Sequence, residues 1–234
     1  MSLIDDLKVQ VGTIFKSQWT ERVGRTIPEP EDLRLGNDTT EIDPATILYA
    51  DLRGSTDLVN QHPWWFAAEI YKTFLHCAAN IVRSEGGAIR SYDGDRIMGI
   101  FTGDMSTTAA VRSGMKIDSA VRQVINPLLA EHQPNRPYKV RHVVGIDRSK
   151  IRAVRIGVRG GNDIVWIGRA ANFAAKLTDL NLEPNTWITE AVYKVMADTV
   201  KFGGNPEKNM WKNYKWTQQS DHSIYGTTWY WKTI

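Results

Sequence analysis

Two aspartates, Asp51 and Asp95, each stand where a short hydrophobic run gives way to a turn. One helix-length segment separates the run 46–52 from the hairpin-like segment 88–101. A strand, helix, hairpin order can set both aspartates side by side on neighbouring strands, where their carboxylates would hold Mg²⁺ or Mn²⁺. Taken singly, Asp51 fits the end of a strand and Asp95 fits Asp-Gly turn chemistry.

A third segment, 166–177, reads as a helix that carries Asn172 and Lys176. Residues four apart share one face of a helix, so the amide and the ammonium group point the same way. Such a pair can hold a hydroxyl group and a phosphoryl oxygen.

In this order, the three segments resemble the class III nucleotidyl cyclase homology domain, the family of adenylate and guanylate cyclases, over about residues 44–190. The resemblance implies an α+β fold with the ferredoxin-like, palm-type βαββαβ core. It also implies that Asp51 and Asp95 hold two divalent ions, Mn²⁺ or Mg²⁺, which clamp the entering and leaving oxygens of a nucleoside triphosphate.

The resemblance also assigns the helix residues. Asn172 matches the asparagine that orients the ribose, and Lys176 stands where the family usually has a transition-state arginine. Lysine keeps the charge and loses the bidentate fork. In this family one active site takes its aspartates and its asparagine from different subunits, so a homodimer with two shared sites is implied.

A loop after the first aspartate is expected to face the triphosphate, because it contains a glycine and leads into a helical turn. Lys150 aligns with a basic triphosphate contact of the family, and a solvated strand position is its alternative. The phosphate-binding candidates are Leu52, Arg53, Gly54, Ser55, Thr56 and Lys150.

The groups that read purines are missing. Adenine-selecting members carry a lysine four residues before the second aspartate and an aspartate seven before the asparagine, where this chain has Ser91 and Val165. Tyr49 and Arg96 are long enough to reach a smaller ring, although Tyr49 also fits the core and Arg96 a strand surface. These four are the candidates for base recognition. A donor-rich pocket favours the carbonyl groups of UTP over the amino group of CTP.

Three further segments, 15–19, 35–38 and 48–52, are similar to the bacterial pyrimidine cyclases of the Pycsar antiphage systems. That similarity implies synthesis of cyclic UMP or cyclic CMP as an infection signal to a separate effector protein.

The composition sets broad limits. The chain has 234 residues, 42% hydrophobic, enough for one domain with extensions. A single cysteine and the lack of a long apolar run or signal-peptide layout predict a cytoplasmic protein without a membrane partner. A net charge of +3 gives no case for nucleic acid, yet residues 145–169 hold six basic residues against two acidic ones, which suits a phosphate-rich ligand.

The elements that must position these residues follow from the hydrophobic pattern. A helix and arm are predicted over 1–44, a catalytic domain over 45–190 and a Trp-rich extension that packs on the core over 191–234. Within the catalytic domain, the pattern predicts a strand over 45–51, a long helix over 63–84, a hairpin over 88–101 and a second long helix over 107–131 with a kink at Pro127. Two paired strands over 138–146 and 151–158 and a helix over 168–180 are predicted to follow. A strand is also predicted near 227–231.

Three alternatives remain open at this point. The chain is a pseudo-cyclase that binds nucleotide or a partner without turnover, as Lys176 in place of arginine suggests. It is a palm-like RNA-binding module, which leaves Asp51, Asp95 and Asn172 without a shared purpose. Or it is an adenylate or guanylate cyclase with atypical base recognition.

Overall fold

The computed structural model describes residues 2–158 and 160–232, in which a broad sheet carries helices on both faces. The helices are α1 (Leu3–Lys16), α2 (Ser55–Gln61), α3 (Trp64–Ser84), α4 (Ser106–Ala120), α5 (Asn126–His132), α6 (Arg169–Leu177) and α7 (Glu190–Val195). The strands are β1 (Thr20–Val23), β2 (Asp38–Leu52), β3 (Ala88–Asp93), β4 (Arg96–Phe101), β5 (His142–Val158), β6 (Gly161–Ile167), β7 (Thr186–Thr189), β8 (Phe202–Gly203), β9 (Lys208–Asn209), β10 (Lys212–Trp216) and β11 (His222–Thr227).

The main sheet has the strand order β10-β11-β7-β5-β2-β4-β3, with β1 beside β2 and β6 beside β5. β2 lies antiparallel between β4 and β5. The predicted βαββαβ core is therefore confirmed as β2-α3-β3-β4-α4-β5. Its central strands bring the end of β2 next to the turn between β3 and β4.

Alternation along β2 divides the core between the two faces. Leu48, Ala50 and Leu52 pack with the apolar sides of α3 and α4, whereas Ile47 and Tyr49 pack with α6. Because side chains of a strand alternate, Asp51 lies on the α6 face with Tyr49. The helix layer also buries polar residues, among them Thr107 and Asp118 of α4, but the carboxylate near the end of β2 lies on the other face.

The second long helix is continuous from 106 to 132, but its middle is not α-helical. Residues Val121–Ile125 form a π-helical turn between α4 and α5, directly before Pro127. Proline lacks the N–H that the α-helical ladder needs, so a wider turn lets the helix continue. Asn126 uses both ends of its amide to hold the backbone of Val140, which leads into β5.

The prediction that 138–146 and 151–158 pair with each other is wrong. Residues 142–158 form the single strand β5, which pairs with β2, β6 and β7. The polar segment 147–150 has turn-like composition, yet its backbone pairs with β2, for example Ser149 with Ala45. The strand continues because Asp147, fully buried, finds partners across the sheet.

The predicted strand near 227–231 is also misplaced, since β11 ends at Thr227 and pairs with β7 and β10. α6 spans fewer residues than the predicted 168–180.

The C-terminal segment extends the main sheet, and Trp211 and Trp216 are buried in it. Residues 233 and 234 of that segment lie outside the described residues.

At the other end, α1 has no buried residue and is tied to the arm through the Asn37 amide. None of the helices in the described part combines the length and the apolar character needed to cross a bilayer.

Candidate active site

Asp51 lies near the end of β2, paired with Val143 of β5, and its side chain is 14% exposed. Arg96 of β4 donates a hydrogen bond from Nε to Asp51 Oδ2 at 2.9 Å, and its Nη2 forms an ion pair with the same oxygen at 2.8 Å. Burial raises the pKa of Asp51 above its ordinary value, and the Asp95 carboxyl group adds to the rise, while Arg96 opposes it. The two carboxyl groups are therefore close enough to interact.

Asp95 follows Gly94 in the turn between β3 and β4. Its Oδ2 atom is buried and has no hydrogen-bond partner among the residues that the structure describes. An orphaned carboxylate oxygen in a buried place is costly unless a cation or a donor reaches it. No third acidic, histidine or cysteine side chain joins this pair within residues 2–158 and 160–232. Oxygen ligands of this kind fit Mg²⁺ or Mn²⁺.

The loop after Asp51 makes a sharp turn at Gly54, whose φ of 76° is in the left-handed region that glycine favours. Gly54 caps α2, so the backbone around Ser55 and Thr56 opens the helix. Leu52 is buried in the core. The guanidinium of Arg53 is already engaged with three carbonyl oxygens of the segment 180–184, at 2.6 to 3.3 Å.

A cavity of about 290 Å³ opens on the face of β2 that carries Asp51, with Tyr49 in its lining. Its lining brings together four of the predicted site residues from four separate elements: Tyr49, Ser91, Val165 and Asn172. Three of these were predicted to meet the base, and Asn172 the ribose.

Arg96 does not line this cavity, because it is held on Asp51. Its guanidinium lies 5.9 Å from the centre of the Tyr49 ring. Arg90 lines the cavity instead, with a buried Nε that has no partner in the described structure and an Nη1 bonded to Glu29 at 2.7 Å. Sequence reasoning missed Arg90, whose only signal is a basic side chain next to Ser91.

Asn172 and Lys176 lie on the exposed face of α6, whose other face buries small residues against the sheet. The helix is fixed at its first residue, where Arg169 Nε donates to Asp147 Oδ2 at 3.0 Å. Thr189 also donates to Asp147. Lys176 is not part of the cavity lining.

Lys150 lies toward the opposite end of β2, beside the strand positions of Ala45 rather than Asp51. Its Nζ bonds Glu41 at 2.7 Å and Asp43 at 3.4 Å. Within one chain, the structure does not bring Lys150 to the aspartate pair.

Other basic residues of the segment 145–169 also bond acidic residues of the arm and β2. Arg152, for example, bonds Glu21 and Glu41. Arg159 of that group lies outside the described residues. Arg152 and Arg155 of this group therefore join β5 to the arm, the latter through the Leu33 carbonyl group.

Known structures share this fold. The adenylyl cyclase CyaB from P. aeruginosa superposes with a TM-score of 0.69 at 19% identity, covering 84% of this chain and 98% of that one. The guanylyl cyclase Cya2 gives 0.68 at 17%, covering 82% and 94%. The fold is that of the class III nucleotidyl cyclases.

Sequence relatives sharpen the assignment. A uridylate cyclase of Burkholderia cepacia is 49% identical over 99% of each chain, and one of Xanthomonas perforans is 42% identical over the same shares. No protein-family model matches the sequence. The chain belongs to the uridylate cyclase family and is a nucleotidyl cyclase, a phosphorus–oxygen lyase. The predicted resemblance is thus confirmed.

Proposed function

We propose that the protein converts UTP to 3′,5′-cyclic UMP and pyrophosphate. The 3′ oxygen loses its proton and bonds to the α-phosphorus, and the bond from that phosphorus to the bridging oxygen of pyrophosphate breaks. The observation that carries the proposal is the Asp51–Asp95 pair, with its orphaned buried oxygen, together with a cavity on the same face of β2 that has Ser91 and Val165 where purine readers carry ionisable groups. The names of the relatives agree with it.

Asp51 and Asp95 would hold two Mn²⁺ or Mg²⁺ ions, which supply charge neutralisation at the attacking and leaving oxygens. Asp51 Oδ2 can bind a cation only after Arg96 moves away, because the guanidinium group is hydrogen-bonded to that atom. The Gly54 turn and the start of α2 would face the phosphate groups with backbone N–H groups.

The exposed face of α6 supplies the remaining chemistry. Asn172 would orient the ribose, and Lys176 would neutralise charge that builds on the phosphoryl oxygens. Because both side chains are exposed in one chain, and the family pattern splits the site, we propose a homodimer in which α6 of one subunit completes the aspartate site of the other.

Base choice rests on the cavity. The unpartnered Nε–H of Arg90 can donate to a uracil carbonyl group, whereas the amino group of cytosine would face a second donor. Tyr49 forms one wall and donates its hydroxyl group to Met98 Sδ at 3.2 Å. Arg90 thus takes the role that Arg96 was expected to play. An unpaired buried polar group costs about 1–3 kcal/mol, enough to favour UTP over CTP.

The wider role follows the resemblance. We propose that the cyclic pyrimidine nucleotide is a second messenger in bacterial antiphage defence, made in the cytoplasm and detected by a separate effector protein.

The test is to incubate the purified protein with UTP, CTP, ATP and GTP separately, with Mn²⁺, and to identify cyclic products by mass spectrometry. We expect cyclic UMP as the main product and the highest kcat/KM for UTP. Arg90→Gln should lower the UTP to CTP ratio about tenfold, and Arg83→Gln, at the exposed end of α3, is the matched control. A purine as preferred substrate would overturn the pocket argument, and no product from any nucleotide would favour the pseudo-cyclase.

A further inference from the structure

A second cavity, of about 280 Å³, lies beneath the start of β5. Its lining is strongly cationic, with four basic side chains against two acidic ones: Arg53, Arg122, Lys139, Arg141, Asp118 and Glu183. A water molecule occupies about 30 Å³ in the liquid, so the space accommodates a small molecule. Among the residues described above as catalytic candidates, only Arg53 borders it.

The floor of the cavity is His142, whose side chain is 1% exposed. Its Nε2 atom is buried and has no hydrogen-bond partner in the described chain. The nearest acidic atom, Asp118 Oδ1, is 3.8 Å away, beyond hydrogen-bond reach. Burial lowers the pKa of His142 to about 4, so the ring is neutral at pH 7 and can donate one N–H.

A second donor in the same cavity is also unused. Arg53 Nε is buried without a partner in the described structure, although the other guanidinium nitrogens are bonded. Asp118, by contrast, is satisfied at both oxygens, by Arg122 and Asn185 at 2.9 Å each. Asp118 is therefore neutralised, and the buried lining atoms without a partner in the described structure are Arg53 Nε and His142 Nε2, which is a donor when the neutral ring carries its proton there; Glu183 adds one carboxylate to the lining.

The cavity is distinct from the aspartate pair. The His142 ring lies 6.1 Å from the ring of Phe74 on α3, so it faces the helix layer, whereas Asp51 lies on the α6 face. The π-helical turn Val121–Ile125 contributes Val121 and Arg122 to the lining. Such turns are frequent at functional sites.

We propose that this cavity binds the phosphate group of a small anion, with His142 and Arg53 as buried donors and Lys139 and Arg141 as charges at its mouth. Charge-assisted hydrogen bonds to phosphate satisfy both orphaned nitrogens at once. Arg53 also connects the cavity to the active-site loop, because its backbone N–H donates to the Arg141 carbonyl group at 2.9 Å. The anion is either inorganic phosphate or the phosphate of a mononucleotide, since both present the same group.

The test follows the imidazole resonances of His142, one of five histidines, by ¹⁵N-correlated NMR of the full chain. Inorganic phosphate and uridine 5′-monophosphate are titrated separately at constant ionic strength, and His142→Phe assigns the signal. We expect a saturable shift with at least one probe. Lys139→Gln should weaken the midpoint about tenfold, because it removes a phosphate-facing charge from an exposed position that the fold does not need.

The matched control is Lys215→Gln, an exposed strand lysine outside the cavity, which should leave the midpoint unchanged. The probe that saturates identifies the source of the phosphate group. If the His142 signal stays still with both probes, the cavity holds only water and the proposal fails. It fails equally if Lys139→Gln and Lys215→Gln shift the midpoint alike, because the effect would then be general screening.

Discussion

Two buried acidic sites on the same sheet, Asp147 on β5 and the Asp51–Asp95 pair, differ in how completely they are hydrogen-bonded. Burial raises the pKa of Asp147 and of Asp51, and each aspartate has an arginine partner. Asp147 is satisfied at both oxygens by Arg169 and Thr189. Asp95 has a buried oxygen with no partner in the described chain. The complete site anchors α6, and the incomplete one is where we propose that a cation binds.

The largest effect should come from the incomplete site. Asp51→Ala or Asp95→Ala should reduce kcat/KM for UTP by about a thousandfold or more, because each removes a proposed metal ligand. The melting temperature should change little, since neither side chain is part of the apolar core. Asp179→Ala, on an exposed acid 3.9 Å from Arg96, is the control and should keep activity. Full turnover in either variant would remove the aspartates from the site.

A mixing experiment tests whether the two halves come from different subunits. Asp51→Ala and Asn172→Ala, each inactive alone, should recover about one quarter of wild-type activity on mixing, because half the dimers are mixed and one of their two sites is intact. Subunit exchange is checked by native mass spectrometry. Exchange without recovery would show that one chain supplies the whole site.

Lys176→Ala should lower kcat by roughly 10- to 100-fold and change KM less, because its charge acts mainly in the transition state. Lys176→Arg should restore or exceed wild-type kcat, since the guanidinium fork grips a phosphoryl oxygen in two places. Equal kcat in wild type and Lys176→Ala would place this lysine outside the chemistry.

The complete site should show the opposite behaviour. Asp147→Ala leaves the buried Thr189 hydroxyl group and the guanidinium of Arg169 without their partner, so we expect a loss of about 2–3 kcal/mol in the free energy of unfolding, measured with urea. Arg169→Gln should lose less, because that side chain is 42% exposed. A stability loss for Asp51→Ala as large as that for Asp147→Ala would erase the distinction between the two sites.

The smallest effect concerns pH. The raised pKa of Asp51 means that the folded state binds its proton more tightly than the unfolded chain does, so this carboxyl group contributes most to stability below its unfolded pKa. That contribution is lost as pH rises through the folded pKa. Without metal, the melting temperature of Asp51→Asn relative to wild type should therefore be higher at pH 7 than at pH 4. The reverse trend would mean that Arg96 outweighs burial.

Local sequence patterns determined much of this protein. Apolar periodicity placed the long helix that begins after Pro63, Asp-Gly chemistry placed the hairpin turn at Asp95, and four-residue spacing put Asn172 and Lys176 on one helix face. These features depend on residues close in the chain, where backbone preferences and side-chain periods act directly. The βαββαβ order followed because few connections of such elements are possible.

Only the tertiary structure decided the remaining features, because they depend on partners distant in sequence. Asp147 looked like part of a turn until Arg169 and Thr189 satisfied it inside a continuous strand. Arg96 was expected to contact the base, but in the fold it bonds Asp51, which is 45 residues away in sequence. Arg90 lines the cavity instead. A charged side chain pairs with an opposite charge that lies near it in the folded protein. Which charge that is depends on how the strands pair.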